Sequence, residues 1–218
     1  MSEPQKITFL IGTGQLDIDQ FLSIYEKGSP LIAADGGANH LYDLNIIPDK
    51  IVGDLDSLKN KKYWKEKTEV IYIEEQDSTD LEKVLEQTET PLYLAFGFAG
   101  DRFDHTLEIL HVLSKYNNKN IIFFAGTDII FRLPQKWKVE LPIGTRLSLY
   151  PLHKTKILKS SGLKWPIDGM EMRQGHLIGT SNKATEPIIT INQEESNLVC
   201  VTHSKHYDKI ITSLTQSV

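Results

Sequence analysis

The chain of 218 residues has one cysteine, so no internal disulfide can form. It also lacks an excess of basic charge, since 24 Lys and Arg stand against 29 Asp and Glu, a formal net charge of −5. No basic field is available to hold a nucleic-acid backbone through counterion release, so nucleic acid is not an expected partner. Long apolar runs are missing as well. Stretches such as 120–125 (NIIFFA) fall far short of the roughly 18 to 20 residues that a bilayer span needs, so no membrane partner is expected. The opening residues, MSEPQKITFLIG, lack a basic segment leading into an apolar one and a small-residue cleavage site, so no secretory signal is read there. A cytoplasmic location is the expectation. With 40% hydrophobic residues the chain can build an ordinary core without covalent staples, in one large domain or two small ones.

Two halves differ in texture, which divides the chain into expected domains 1–133 and 134–218. In the first, short β-branched or apolar runs (KITFLIG, PLIAADG, DKIVGD, EVIYIE, PLYLAFG, NIIFFAG) alternate with helical periodicity at 17–26, 38–44, 58–66, 79–88 and 103–116. That alternation predicts βαβ units and a mostly parallel sheet with helices on both faces. Thr79 with Glu82 three residues on forms a capping-box sequence ahead of Leu81, Val84 and Leu85, marking a helix start. The helix after Arg102 is apolar most of the way round, with Leu107 and Leu110 on one face and Ile109 and Val112 on another, so deep packing is expected. After about Pro134 the helical pattern stops. KWKVEL, TRLSLYPL, KTKILKSSGLKW, HLIGTSN, EPIITIN and NLVCVTH, separated by turn residues, predict an all-β sandwich whose edges suit packing against another copy.

Twelve of the fourteen aspartates lie in the first half, and their placement matters more than their number. Asp35, Asp54 with Asp56, Asp77 with Asp80, and Asp101 with Asp104 each fall just beyond a predicted strand. In a parallel sheet those strand ends share one edge, where open α/β sheets bind ligands. Two carboxylates 4 Å apart repel by about 4 kcal/mol at an effective dielectric near 20, so a converging set calls for a cation. Oxygen donors without a His or Cys set at metal spacing favour Mg²⁺ or Mn²⁺ over zinc, and Mg²⁺ held by a few carboxylates usually carries substrate phosphates. Each residue also has a plainer reading. Asp54, Asp56 and Ser57 could cap the next helix, Asp80 suits a helix dipole, and Asp101 or Asp104 could be an N-cap. Recurrence at four strand ends favours the site, because a helix needs one cap.

Glycines offer a rival. Gly12-Thr13-Gly14 after the first strand, with Asp35 ending the second, imitates a dinucleotide fingerprint, but Asp17 stands where the third glycine belongs. No G-x-x-x-x-G-K-[ST] sequence exists either, so phosphates would be bound through metal and scattered side chains. Gly36-Gly37 could bring backbone N–H groups to a phosphate or serve only a tight strand-to-helix turn. His105 and His111 suit core or surface roles, and Cys200 sits in a strand pattern as a small core residue.

Together, Ala34-Asp35-Gly36-Gly37-Ala38-Asn39, the run 48–57 (PDKIVGDLDS), Gln76-Asp77-Ser78-Thr79-Asp80 and 100–105 (GDRFDH) resemble thiamin pyrophosphokinases. In the second half 161–165 (SGLKW) and 179–182 (GTSN) resemble that family's β domain, so the likeness runs through nearly the whole chain. It implies transfer of a pyrophosphoryl group from ATP to the hydroxyl of thiamin, giving thiamin diphosphate and AMP, with Mg²⁺ required. It also implies a catalytic, ATP- and metal-binding domain at 1–133 and a thiamin-binding, dimerising domain at 134–218, in a homodimer whose active sites lie at the subunit interface. Carried over by residue, Asp54, Asp56 and Asp77 match the metal and phosphate cluster. Asp35, Asp80 and Asp104 support it, with Gly36, Gly37 and Asn39 on the nucleotide side. Gln76 and Asp77 are expected near the thiamin hydroxyl or its metal. Trp165 matches an aromatic stacked on a thiamin ring, and Ser181 with Asn182 match polar contacts to the aminopyrimidine.

A flat cationic heteroaromatic would gain about 1 kcal/mol or more on an indole face. The expected chemistry is in-line attack of the hydroxyl on the β-phosphorus, driven by positioning and charge neutralisation. Asp77, then Asp80, is the expected base, with Asp56 at the metal and Arg102 on the pyrophosphoryl oxygens. Asp101, between the family's usual glycine and arginine, lengthens or recharges that loop. Two rivals stand beside this reading. A pyrophosphokinase for a hydroxymethylpterin would lack a use for the Leu-Lys-Trp and Thr-Ser-Asn elements, and a non-catalytic nucleotide-binding module would not need clustered carboxylates.

Overall fold

A computed structural model describes residues 7–100 and 102–215. Strand and helix alternate through β1 (Ile7–Ile11), α1 (Ile18–Ile24), β2 (Leu31–Ala34), α2 (Gly37–Asp43), β3 (Lys50–Gly53), α3 (Lys61–Lys67), β4 (Glu69–Tyr72), α4 (Asp80–Glu86), β5 (Leu92–Phe96), α5 (Phe103–Lys115) and β6 (Ile121–Ala125). The chain divides into two compact units, residues up to 109 with 123–125, and residues 110–122 with those from 126 on, so the dividing line runs through α5 and β6.

The first unit is a parallel sheet with helices. Its strands pair in the order β5-β1-β2-β3-β4, with Phe9 opposite both Leu31 and Leu94, Ile32 opposite Lys50, and Ile51 opposite Val70. Steps from β1 to β4 go one way and β5 lies on the other side of β1, so the order reverses between β1 and β5. β2 and β5 are buried along their whole length, which fits their unbroken apolar sequences, LIAA and LYLAF. Phe21 meets Phe96 edge-on at 5.5 Å, and Phe96 stacks on Phe124 at 4.2 Å. The capping box forms as its sequence predicts. Thr79 accepts the Glu82 N–H, and Glu82 accepts the Thr79 N–H at 2.9 Å. Asp17 is the N-cap of α1, accepting the Gln20 N–H at 3.0 Å, which accounts for an acid where a dinucleotide fingerprint needs glycine.

Two helices depart from expectation. α3 starts three residues later than its periodicity suggested, because Leu58 is buried and the chain turns at Asn60, whose φ is 53°. α5 is not packed all round. Ile109, Val112 and Leu113 are buried, whereas Leu107 is exposed and Phe103 is 73% exposed.

The second unit holds two antiparallel sheets. β7 (Asp128–Arg132), β9 (Arg146–Pro151), β12 (Gly179–Lys183) and β14 (Leu198–His203) pair in the order β12-β9-β14-β7. β8 (Lys136–Glu140), β10 (Thr155–Ser161), β11 (Glu171–Met172) and β13 (Ile188–Gln193) pair as β11-β10-β13-β8. Alternate residues turn inward along β8 and β13, burying Trp137, Val139, Ile189 and Ile191 in a sandwich core. Cys200 is buried in β14, which pushes its thiol up and leaves it a core residue.

This unit is not entirely β. Helix α6 (Tyr207–Thr215) follows the last strand, burying Ile210, Ser213 and Leu214, and Ser213 Oγ accepts the Trp137 Nε1 hydrogen at 2.9 Å. Its nine residues, YDKIITSLT, gave too short an apolar repeat to stand out beside β-branched Ile and Thr. β7 was missed as well, being fused by a short turn to the strand before it.

Candidate active site

Where β3 ends, the chain turns through Asp54, Leu55 and Asp56 with Leu55 at φ 62°, a left-handed conformation unusual for a side chain of that size. The buried Leu55 side chain holds the turn down, while Asp54 Oδ1 accepts the Asp56 N–H at 3.1 Å. Asp35, at the end of β2, is also left-handed at φ 41° and only 1% exposed. Its Oδ2 accepts the Ser57 N–H at 3.0 Å, tying the β2 end to the acidic turn. Carboxylate oxygens of Asp35, Asp54 and Asp56 lie within 4.8 Å of one another.

Gly53 permits that approach. A Cβ there would meet the Asp35 Cβ at 2.8 Å and Asp80 Oδ1 at 2.9 Å. Asp80, on the first turn of α4, faces the same place, and the Oδ1 atoms of Asp35 and Asp80 are buried without a hydrogen-bond partner. Burial pushes both groups up from the ordinary carboxylate range. For Asp35 the Ser57 N–H opposes this and the charges of Asp80 and Asp56 add to it, whereas for Asp80 Lys83 opposes and Asp54 adds. Asp54 is held low, chiefly by the hydrogen bond that Gln76 Nε2 donates to its Oδ2 at 2.9 Å, then by the Asp56 N–H. Clustered hard oxygens with orphaned carboxylate atoms fit a divalent cation such as Mg²⁺.

A cleft of about 440 Å³ opens beside this cluster. Thr13, Ala34, Asp54, Gln76, Asp80 and Phe98 contribute to its wall, so it follows the carboxyl edge of the strands and takes in the β1–β5 reversal. Arg102 and Asp104 line it as a pair, with Nη2 to Oδ2 at 2.6 Å and Nε to Oδ1 at 3.2 Å, and that bond holds the Asp104 carboxyl low. Asp101 lies outside the described residues.

Several expected residues sit elsewhere. Asp77 is exposed and belongs neither to the three-carboxylate set nor to the cleft wall; its N–H donates to Glu75 Oε2 at 2.8 Å. Asn39 clamps the acidic loop, donating to the Ser57 carbonyl at 3.0 Å and accepting the Lys59 N–H at 2.9 Å. Gly37 is required by packing, since a Cβ there would lie 2.1 Å from the Ile11 carbonyl oxygen, and Gly36 is the N-cap of α2. The Gly14 N–H donates to the Gly97 carbonyl at 2.7 Å, so the glycines after β1 join two strand ends. Sequence reasoning missed Lys83, a buried cation in the cleft wall. Its signal was a lysine three residues after Asp80, on the same helical face.

In the second unit Trp165 is 50% exposed, with Lys164 Nζ 4.7 Å from its ring centre. Asn182, 2% exposed, holds the tryptophan backbone from both sides. Its Oδ1 accepts the Trp165 N–H at 3.2 Å, and its Nδ2 donates to the Trp165 carbonyl at 2.8 Å. Ser181 is exposed at φ 61°, where the β9–β12 register shifts, and its N–H donates to Ser148 Oγ at 3.0 Å.

Residues 21–125 match the family model of the thiamin pyrophosphokinase catalytic domain, and 135–198 match that of its vitamin B1 binding domain. Thiamine pyrophosphokinase 2 of Arabidopsis thaliana is 32% identical, with 84% of this chain and 81% of that protein covered. Thiamin pyrophosphokinase 1 of Caenorhabditis elegans is 26% identical, covering 80% and 79%. The crystal structure of yeast thiamin pyrophosphokinase superposes with a TM-score of 0.79 at 22% identity, over 97% of this chain and 90% of that one. Thiamin pyrophosphokinase from Candida albicans gives 0.77 at 20%, over 91% and 89%. These two structures share the fold of both halves, a mostly parallel sheet with helices and a β sandwich. Among the described residues no helix is long and apolar enough to cross a membrane. On its sequence relatives and its two family matches, the chain belongs to the thiamin pyrophosphokinase family.

Proposed function

We propose that the protein transfers the pyrophosphoryl group of ATP to the hydroxyl of thiamin, giving thiamin diphosphate and AMP. The observation that carries this reading is the meeting of Asp35, Asp54 and Asp56 beside the cleft, in a chain matched by both domains of the family. Functional division at 133/134 is supported by the two family matches, which stop at 125 and resume at 135. The catalytic half binds ATP and metal, and the β half binds thiamin and dimerises.

Asp54 and Asp56, with Asp35, would hold Mg²⁺, which when bound supplies positive charge to the phosphate oxygens. Gln76 fixes the Asp54 carboxylate through its 2.9 Å hydrogen bond. As the thiamin oxygen bonds to the β-phosphorus, the bond from that phosphorus to the α,β-bridging oxygen breaks, and AMP leaves. A carboxylate must orient the hydroxyl and receive its proton. Between Asp77 and Asp80, the cleft wall favours Asp80, since Asp77 is exposed and lies outside it. Arg102, which lines the cleft paired with Asp104, is the proposed contact for the pyrophosphoryl oxygens. Trp165 offers the thiamin ring an indole face held by Asn182, with Ser181 nearby on β12 for polar contact. The reading includes a homodimer that completes the active site across its interface, as the family resemblance implies. A cytoplasmic location suits a chain whose one cysteine is a buried thiol.

The test is AMP release from Mg·ATP with thiamin or a hydroxymethylpterin as acceptor. Thiamin-dependent AMP supports the reading. AMP release with the pterin alone, or with neither, overturns it.

A further inference from the structure

Lys83 is 2% exposed, yet it lines the cleft. Its position is costly, because burial strips water from an ammonium group. Among the described residues its one anionic neighbour within 4 Å is Asp80 Oδ1, at 3.5 Å, which is beyond a good charge-assisted hydrogen bond. An ammonium has three hydrogens to donate, and this ion pair engages at most one of them. The other cation of the wall, Arg102, is already held by two bonds to Asp104. Asp54, Asp80, Asp104 and Glu108 otherwise make the wall acidic, a poor receptor for an anionic nucleotide.

We propose that Lys83 is a substrate-binding residue whose ammonium grips phosphoryl oxygens of the nucleotide, as a fixed charge working beside the divalent cation. This inference rests on the pyrophosphokinase reading and adds a second, buried cation to the Arg102 contact proposed there. A compact charge on a flexible stem reaches a phosphate while its aliphatic part stays packed in α4. The competing role is structural, with Lys83 only balancing the buried charge of Asp80.

Titration calorimetry with the α,β-methylene analogue of ATP and Mg²⁺ separates the two. Lys83→Met should bind the analogue at least about tenfold more weakly, with thiamin affinity within twofold of wild type, and Lys83→Arg should recover part of the loss. The double variant Asp80→Asn/Lys83→Met removes both buried charges, so it stays informative if the single variant misfolds. Far-UV circular dichroism and melting report the fold of each. Unchanged analogue affinity in Lys83→Met, or affinity restored in the double variant, overturns the inference. Wild-type protein that binds no analogue overturns the pyrophosphokinase reading itself, and the inference with it.

Discussion

The two halves treat buried polar groups in opposite ways. In the β unit, buried Ser160, Asn182, Gln193, Asn197 and Thr202 each have hydrogen-bond partners within the unit. In the parallel-sheet unit, Asp35 Oδ1, Trp64 Nε1 and Asp80 Oδ1 are buried without one, and Asp35 and Leu55 adopt left-handed backbone angles. Satisfied polar groups make a rigid platform, and the β unit uses them to display one aromatic ring. Unsatisfied carboxylates and local strain are retained where a ligand completes them. Under the proposed function, chemistry would be concentrated in one half and shape recognition in the other.

The sharpest way to break that contrast is Asp56→Asn. Turnover should fall on the order of 10²- to 10³-fold through lost charge stabilisation, while the melting temperature holds or rises because a like-charge neighbour is gone. Retained activity would remove Asp56 from the site. Trp165→Ala should weaken thiamin binding about tenfold, the equivalent of about 1.4 kcal/mol of stacking and cation–π attraction, with nucleotide affinity unchanged. Equal thiamin affinity would reduce Trp165 to surface packing. Asn182→Ala should act on the same step more gently, about three- to tenfold on thiamin affinity, by loosening the backbone that carries the ring. Equal losses for both substrates would place Asn182 outside the thiamin platform.

The smallest effect concerns pH. Burial pushes the Asp35 carboxyl up, so the folded protein holds a proton that the unfolded chain releases, and its contribution to stability falls as pH rises from the ordinary aspartate range through the folded value. Without divalent cations, Asp35→Asn should therefore melt above wild type at pH 7. The gap should narrow as pH falls into that range. A gap independent of pH, or a variant less stable at pH 7, would mean that the Asp35 charge is not the cause.

Much of this was legible in the residues. Unbroken apolar runs bounded by aspartate and glycine marked the parallel strands, and Thr79 with Glu82 marked a helix start that forms as written. The convergence of Asp35 and Asp54 could be read because a parallel sheet places its strand ends together. What escaped depends on the local path of the backbone. Left-handed Leu55 aims Asp56 beside Asp54, while Asp77, a few residues before its helix, turns to solvent, and nothing in their sequence neighbours separates the two. Asn39 and Asn182, read as ligand contacts, hydrogen-bond neighbouring backbone, a use their sequence positions did not show. Lys83 went unseen because a lysine in a helix is ordinarily a solvated charge.

The claim on which these readings depend is that Asp35, Asp54 and Asp56 together hold a divalent cation. Mn²⁺ titration followed by electron paramagnetic resonance tests it on wild type, Asp54→Asn and Asp77→Asn. Wild type and Asp77→Asn should take up the ion with equal affinity, and Asp54→Asn should lose at least about tenfold. Full affinity in Asp54→Asn, with loss in Asp77→Asn, would contradict it.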